Sequence, residues 1–134
     1  CSDAQIVNSY DNSIAYTDYV LAGLIDQLDA QKDRLDSVLL YISDHGESLG
    51  ENGLCLHGQP YLVAPDVQKD VPMLMWFSRD AQARLQLDAT CLRGRLQDRY
   101  SHDNLSHTLL GLVDVTTSVY RPGLDVLRAC RRGT

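Results

Sequence analysis

Residues Ser37-Val38-Leu39-Leu40-Tyr41-Ile42-Ser43 form an apolar run with no alternation, and the run stops abruptly at Asp44-His45-Gly46-Glu47. An unbroken run of this length reads as a strand buried on both faces, the environment of a parallel sheet covered by helices. A second run, Val71-Pro72-Met73-Leu74-Met75-Trp76-Phe77, has the same character, with Pro72 tolerable at its first positions. Two strands do not make the sheet that apolarity on both faces requires, so the rest of that sheet is expected from elsewhere. Trp76 is expected in the core.

Amphipathic segments flank the runs. Tyr10-Asp11-Asn12-Ser13 offers N-cap chemistry for a helix over 13–34, with Ile14, Thr17, Leu21, Leu24, Ile25 and Leu28 on one face. Tyr10 and Asn12 read as cap and packing residues. A second helix is predicted over 102–113, where Leu105, Leu109, Leu110 and Leu112 leave His102 and His107 capping or packing roles. The stretch 46–70, punctuated by glycines and two prolines, reads as a long loop of the kind that is functional or disordered. Residues 79–100 read as an Arg-rich connection with a little helix, and the tail from Asp114 as irregular. Helix, strand, loop, strand, helix is the order of an α/β layer fold.

Charge and cysteine usage narrow the function classes. Residues 1–78 carry twelve carboxylates against Lys32, Arg34 and Lys69, while residues 79–134 carry nine arginines against six aspartates. A formal net charge of -6 over 134 residues argues against a nucleic-acid partner, whose affinity rests on phosphate neutralisation. No apolar run approaches the roughly 18 residues of a membrane span. Cys1, Cys55, Cys91 and Cys130 allow three complete pairings, and spacing does not choose among them. In an oxidising compartment Cys91 and Cys130, both in Arg-rich surroundings, are candidate partners.

The chemistry concentrates behind the first strand. In open α/β sheets ligands bind outside the carboxyl ends of strands, which is where Asp44, His45 and Glu47 fall. A carboxylate and an imidazole at a strand end can splay onto one zinc ion, and Gly46 lets the chain turn there. His57, beside Gly58 and Pro60, can be returned to the same place by the loop. The same triplet is also compatible with an ordinary turn. Glu47 and Glu51 are the only glutamates among eighteen acids, and both lie in this segment.

The stretch Tyr41-Ile42-Ser43-Asp44-His45-Gly46-Glu47-Ser48-Leu49-Gly50-Glu51-Asn52-Gly53-Leu54, continued by Leu56-His57-Gly58, closely resembles the zinc-site segment of lipid A phosphoethanolamine transferases. That family includes the mobile colistin-resistance enzymes and belongs to the alkaline phosphatase/sulfatase superfamily. The likeness extends through Tyr10 to Ile14, Val71 to Leu74, Tyr100 to Leu105 and His107 to Gly111. It implies that residues 1–134 are the C-terminal portion of one sulfatase-like catalytic domain, part of an α/β/α sandwich. It implies zinc as cofactor, with Asp44 and His45 as ligands, and Glu47 and His57 beside them on substrate or a second metal ion. His57 would also serve catalysis. By the same resemblance a nucleophilic Thr, a further ligand Glu, another active-site His and a membrane anchor lie upstream. Cys1 is then half of a disulfide whose partner is also upstream. Cys55 stands where many relatives have Tyr, and it is expected as a buried neutral thiol rather than a zinc ligand.

The implied reaction moves phosphoethanolamine from phosphatidylethanolamine to a lipid A phosphate through a phospho-threonine intermediate, at the periplasmic face of the inner membrane. A sulfatase or phosphatase of the same superfamily, or a non-catalytic metal-binding remnant, are the competing readings. The upstream sequence separates them: a Thr at a strand-to-helix junction, a Cys or Ser in a sulfatase signature, or a methionine start.

Overall fold

The computed structural model describes residues 2–132, so the expectation for Cys1 lies outside the described residues. The chain divides into two compact units, Cys1–Ser78 and Arg79–Thr134, at the same point where the charge balance changes sign.

The first unit opens with helix α1, Asp3–Asp29, which starts ten residues before the expected boundary. Its N-terminus is a capping box: the Ser2 backbone N–H donates to Gln5 Oε1 at 2.9 Å, and the Gln5 N–H donates to Ser2 Oγ at 3.4 Å. The Tyr10–Ser13 group does not cap. Ser13 Oγ donates to the Tyr10 carbonyl at 2.7 Å inside the helix, a back-bond to the preceding turn. No residue of α1 is fully buried, and Ile6, Tyr10, Thr17, Leu21, Ile25 and Leu28 form its half-buried stripe. Ile14 and Leu24, expected on that face, are exposed.

Strand β1, Val38–Ile42, pairs with β4, Met73–Phe77, and the pairing is antiparallel, with Val38 opposite Phe77 and Ile42 opposite Met73. The apolar runs read as strands of a parallel sheet, whereas these two pair antiparallel with each other: side chains apolar on both faces fix burial demand but not strand direction. Reciprocal bonds at Ser37 and Ser78 extend the ladder at one end, and Ser43 N–H donates to the Pro72 carbonyl at the other. Both strands, Trp76 included, are half-buried rather than fully buried among the described residues, and Leu74 is exposed.

The expected loop 46–70 contains a small hairpin. Strand β2, Ser48–Leu49, pairs with β3, Cys55–Leu56. Gly50 and Gly53, with φ of 122° and 74°, make the reversal that a side chain would strain. A short 3₁₀ turn, Asp66–Gln68, then leads into β4.

In the second unit α2 (Arg79–Arg84) and α3 (Ala89–Gly94) precede α4, Asp103–Leu112. Its core is supplied largely by the irregular tail, where Asp125, Val126, Leu127 and Cys130 are buried together with Ala81, Leu87 and Thr108. Thr108 Oγ1 donates to the Asn104 carbonyl and accepts from Val126 N–H, so one hydroxyl joins α4 to the tail. His102 occupies the N-cap position of α4 without a side-chain capping bond. His107 Nδ1 accepts the Arg121 N–H at 3.1 Å and its ring stands beside Tyr120, a packing role. Cys91 and Cys130 are joined by a disulfide, with Cα atoms 5.5 Å apart.

Asp88 caps α3, accepting from the N–H groups of Thr90 and Cys91 and pairing with Arg132 at 3.2 Å. The Cys91 N–H first, then Arg132 and the Thr90 N–H, hold this carboxyl below the ordinary carboxylate range. A lowered folded-state value adds stability above the unfolded value of 3.8, and that stability is lost as pH falls through the folded value. Asp88→Ala is therefore expected to melt earlier than the parent at pH 7. The gap should narrow as the pH falls below 3.8 and through the lowered folded-state value, where the parent's carboxyl also takes up its proton. Equal melting curves at pH 7 would remove the capping role.

Candidate metal centre

The site stands at the carboxyl end of β1, where the chain leaves the sheet at Ser43. Ser43 Oγ donates to the His45 carbonyl at 2.8 Å, and His45 N–H donates to Asp44 Oδ1 at 3.0 Å, so three consecutive residues form one tight turn. Gly46 N–H donates to the Gln68 carbonyl at 3.0 Å. A Cβ at Gly46 would land on the Val67 carbonyl oxygen, so only glycine permits this approach of two backbones.

The hairpin brings the other half. Leu56 has φ of 67° and Gly58 has φ of 102°, two left-handed residues flanking His57 that fold the chain back toward β1. A non-glycine residue in that region is uncommon, and such conformations recur beside functional groups. As a result the rings of His45 and His57 lie 3.9 Å apart, centroid to centroid, at 33°.

Donor atoms of His45, Glu47 and His57 all lie within 4.8 Å of one another. Glu47 Oε2 meets His57 Nδ1 at 3.0 Å, which orients that ring and leaves Nε2 uncommitted to Glu47. His45 Nδ1 is 2.9 Å from the Gly46 carbonyl, and His45 Nε2 is 3.7 Å from Asp44 Oδ2. Asp44 is 89% exposed at its side chain and stands at the rim. Its own backbone N–H first, then that of His45 and the His45 ring, hold its carboxyl below the usual range, so it is an anion at neutral pH.

Two features bear on whether these residues fit a metal ion. Two imidazoles and a carboxylate are a donor set that suits zinc. Glu47 Oε1 is buried and has no hydrogen-bond partner, although the side chain as a whole is 21% exposed. A buried carboxylate oxygen without a donor is costly, and a cation in the cluster would satisfy it. The residues present fit the group.

Of the residues singled out in the sequence, His45, Glu47 and His57 are brought together, and Asp44 lies alongside. Cys55 is exposed on β3 rather than buried, because both residues of that short strand face outward. Its thiol is not among the converging donors. One participant gave no signal in the sequence. Gln68, buried at 7% exposure, donates from Nε2 to Ser48 Oγ at 2.7 Å and to the Leu56 carbonyl at 3.1 Å.

Comparisons with known proteins identify the family. The sulfatase family model matches residues 1–115. The phosphoethanolamine transferase EptA of Escherichia coli K12 is 51% identical over 133 residues, covering 98% of this chain and 24% of that protein. The soluble domain of lipooligosaccharide phosphoethanolamine transferase A from Neisseria meningitidis superimposes with a TM-score of 0.94 at 45% identity, covering 98% of this chain and 40% of that one. The integral membrane form of the same Neisseria protein matches at 0.93, with 25% of its chain covered. The present chain thus spans about a quarter of the curated relatives it matches. Among the described residues no helix is long and apolar enough to cross a membrane. With a family model matched along most of its length and a sulfatase-like fold shared at 45% identity, the chain belongs to the sulfatase family, on the branch whose named members are phosphoethanolamine transferases.

Proposed function

We propose that this chain is the metal-binding segment of a zinc-dependent phosphoethanolamine transferase, acting from phosphatidylethanolamine to a lipid A phosphate at the periplasmic face of the inner membrane. The observation that carries the reading is the convergence of His45, Glu47 and His57 at the end of β1, with one buried Glu47 oxygen left unpartnered. The names of the relatives supply phosphoethanolamine as the group transferred and, for the Neisseria protein, a lipooligosaccharide.

Asp44 and His45 would hold zinc, with Glu47 and His57, whose donors converge with His45, beside them on substrate or a second cation. When bound, the ion polarises phosphoryl oxygens and favours ionisation of a coordinated hydroxyl. That hydroxyl would belong to a threonine outside these 134 residues. Its oxygen attacks the phosphorus of the donor lipid, the bond from phosphorus to the diacylglycerol oxygen breaks, and a phosphoethanolamine-threonine forms. His57, oriented by Glu47, is placed to give the departing oxygen its proton or to hold a phosphoryl oxygen. A lipid A phosphate oxygen then attacks the same phosphorus and releases the threonine, a covalent relay with ping-pong kinetics. The unpartnered Glu47 oxygen suits either the ethanolamine ammonium or a second cation. Association with the membrane would come through segments other than these residues.

The reading is tested in cells that make lipid A. Expression of this chain joined to its native upstream coding sequence should yield lipid A bearing phosphoethanolamine, seen by mass spectrometry. Unmodified lipid A despite stable expression would sink it. The 134-residue chain alone is expected to show no transfer and only weak zinc uptake. Turnover by the chain alone that disappears in His45→Ala would place the nucleophile within it.

A further inference from the structure

We propose that Gln68 is the positioning residue of the centre, fixing from one side chain and its own carbonyl the neighbours of all three converging donors. The proposal rests on the metal-centre reading above. Gln68 Nε2 donates to Ser48 Oγ at 2.7 Å and to the Leu56 carbonyl at 3.1 Å, and the Gln68 carbonyl accepts from Gly46 N–H at 3.0 Å. Gly46 lies between His45 and Glu47, Ser48 follows Glu47, and Leu56 precedes His57. Every one of the three donors is therefore one residue from a point that Gln68 holds.

The hairpin carrying Glu47 and His57 is closed by strands of two residues each, too short to set its own register firmly. Leu56 is held in a left-handed conformation, and its carbonyl is one of the two acceptors of the Gln68 amide. Ser48 is wholly buried, so its hydroxyl depends on a protein partner. An amide NH₂ carries two protons, and here both are committed, one to each strand of the hairpin. The frame behind Gln68 is fixed in turn by the Gln68 N–H bond to the Pro65 carbonyl at 3.0 Å. This is the arrangement of an outer-shell group that orients ligands it does not itself touch, and loss of such groups commonly costs ten- to a hundredfold in metal affinity, on the order of what is expected here.

Gln68→Met tests it, since methionine keeps the length and the backbone carbonyl but removes the donors. Two measurements on the 134-residue chain decide the matter. In the metal-free chain, the nuclear Overhauser contact between the His45 and His57 rings is expected to disappear, while cross-strand contacts such as Leu40 to Met75 persist. In a cobalt(II) titration followed by visible absorption, affinity is expected to fall about tenfold or more. A merely structural role would lower the urea midpoint and leave the ring contact and cobalt affinity unchanged, which overturns the proposal. Should Gln68→Met fail to fold, Ser48→Ala removes one of the two bonds. A weakened ring contact then supports the proposal, and an unchanged one overturns it. If the parent chain takes up no cobalt, the metal-centre reading fails, and the ring contact still judges Gln68 by itself.

Discussion

Opening the Cys91–Cys130 bond is expected to lower the stability of the second unit by about 3–4 kcal/mol, the entropic worth of a cross-link closing a loop of this length. The sequence separation is 39 residues, and the loop runs from Cys91 within α3 through α4 and the tail to Cys130. Two physical points make the effect large. The unit is small, and its core is assembled from a tail with no regular element longer than a 3₁₀ turn. The bond also sits where other links converge: the Cys130 carbonyl accepts from Asp88 N–H, and Arg132 reaches Asp88. Urea unfolding of the chain with and without reductant measures the difference. Alkylation under native oxidising conditions should label Cys55, which is exposed, and leave Cys91 and Cys130 unlabelled. Free alkylation of both would remove the bond and the prediction with it.

What the sequence made legible follows from which features are local. β1 and β4 are legible because unbroken apolar runs need no partner to be recognised, but their mutual direction is not, since no residue on either run prefers one orientation. The Asp44–Glu47 segment stands out because polarity changes abruptly behind such a run. His57 was within reach because glycine and proline beside it allow the chain to return. The N-terminus of α1 is obscured although Ser2 and Gln5 have the spacing of a capping box, because Tyr10 to Ser13 offers the same polar chemistry nearer the apolar face. β2 and β3 escaped because two residues carry no period. Burial of Cys55 was expected from residue type, whereas its exposure follows from which way a short hairpin strand faces. Gln68 had no signal at all: its importance lies in three bonds to residues 12 to 22 positions away, and separation of that kind leaves no pattern in one sequence.

Gly46→Ala is expected to cost about 3 kcal/mol and to disperse the donors, although alanine adds a single methyl group. The reason is not the glycine's own conformation, because Gly46 is not among the residues with positive φ. The obstacle is the opposing chain. The added Cβ would meet the Val67 carbonyl oxygen, with Val67 C at 3.0 Å and Gln68 Cα at 3.3 Å, and backbone gives way far less readily than a side chain. Residues 66–68 cannot retreat without breaking the Gln68 bonds to Ser48, Leu56 and Gly46, so the strain is delivered to both sides of Glu47 and to His57. Two controls isolate the cause. Gly23 lies within α1 with nothing near its absent Cβ, so Gly23→Ala should stabilise the chain by about 1 kcal/mol through helix propensity. At Gly111 the Cβ would meet the Asp125 carboxylate in the second unit, so Gly111→Ala should destabilise while leaving the His45–His57 ring contact intact. Urea unfolding and the ring contact, measured on all three variants, separate loss of stability from loss of the site. A Gly46→Ala chain with parental stability and the rings still together would mean that residues 46 and 67 do not approach as described, and the geometry of the centre would have to be rebuilt from that point.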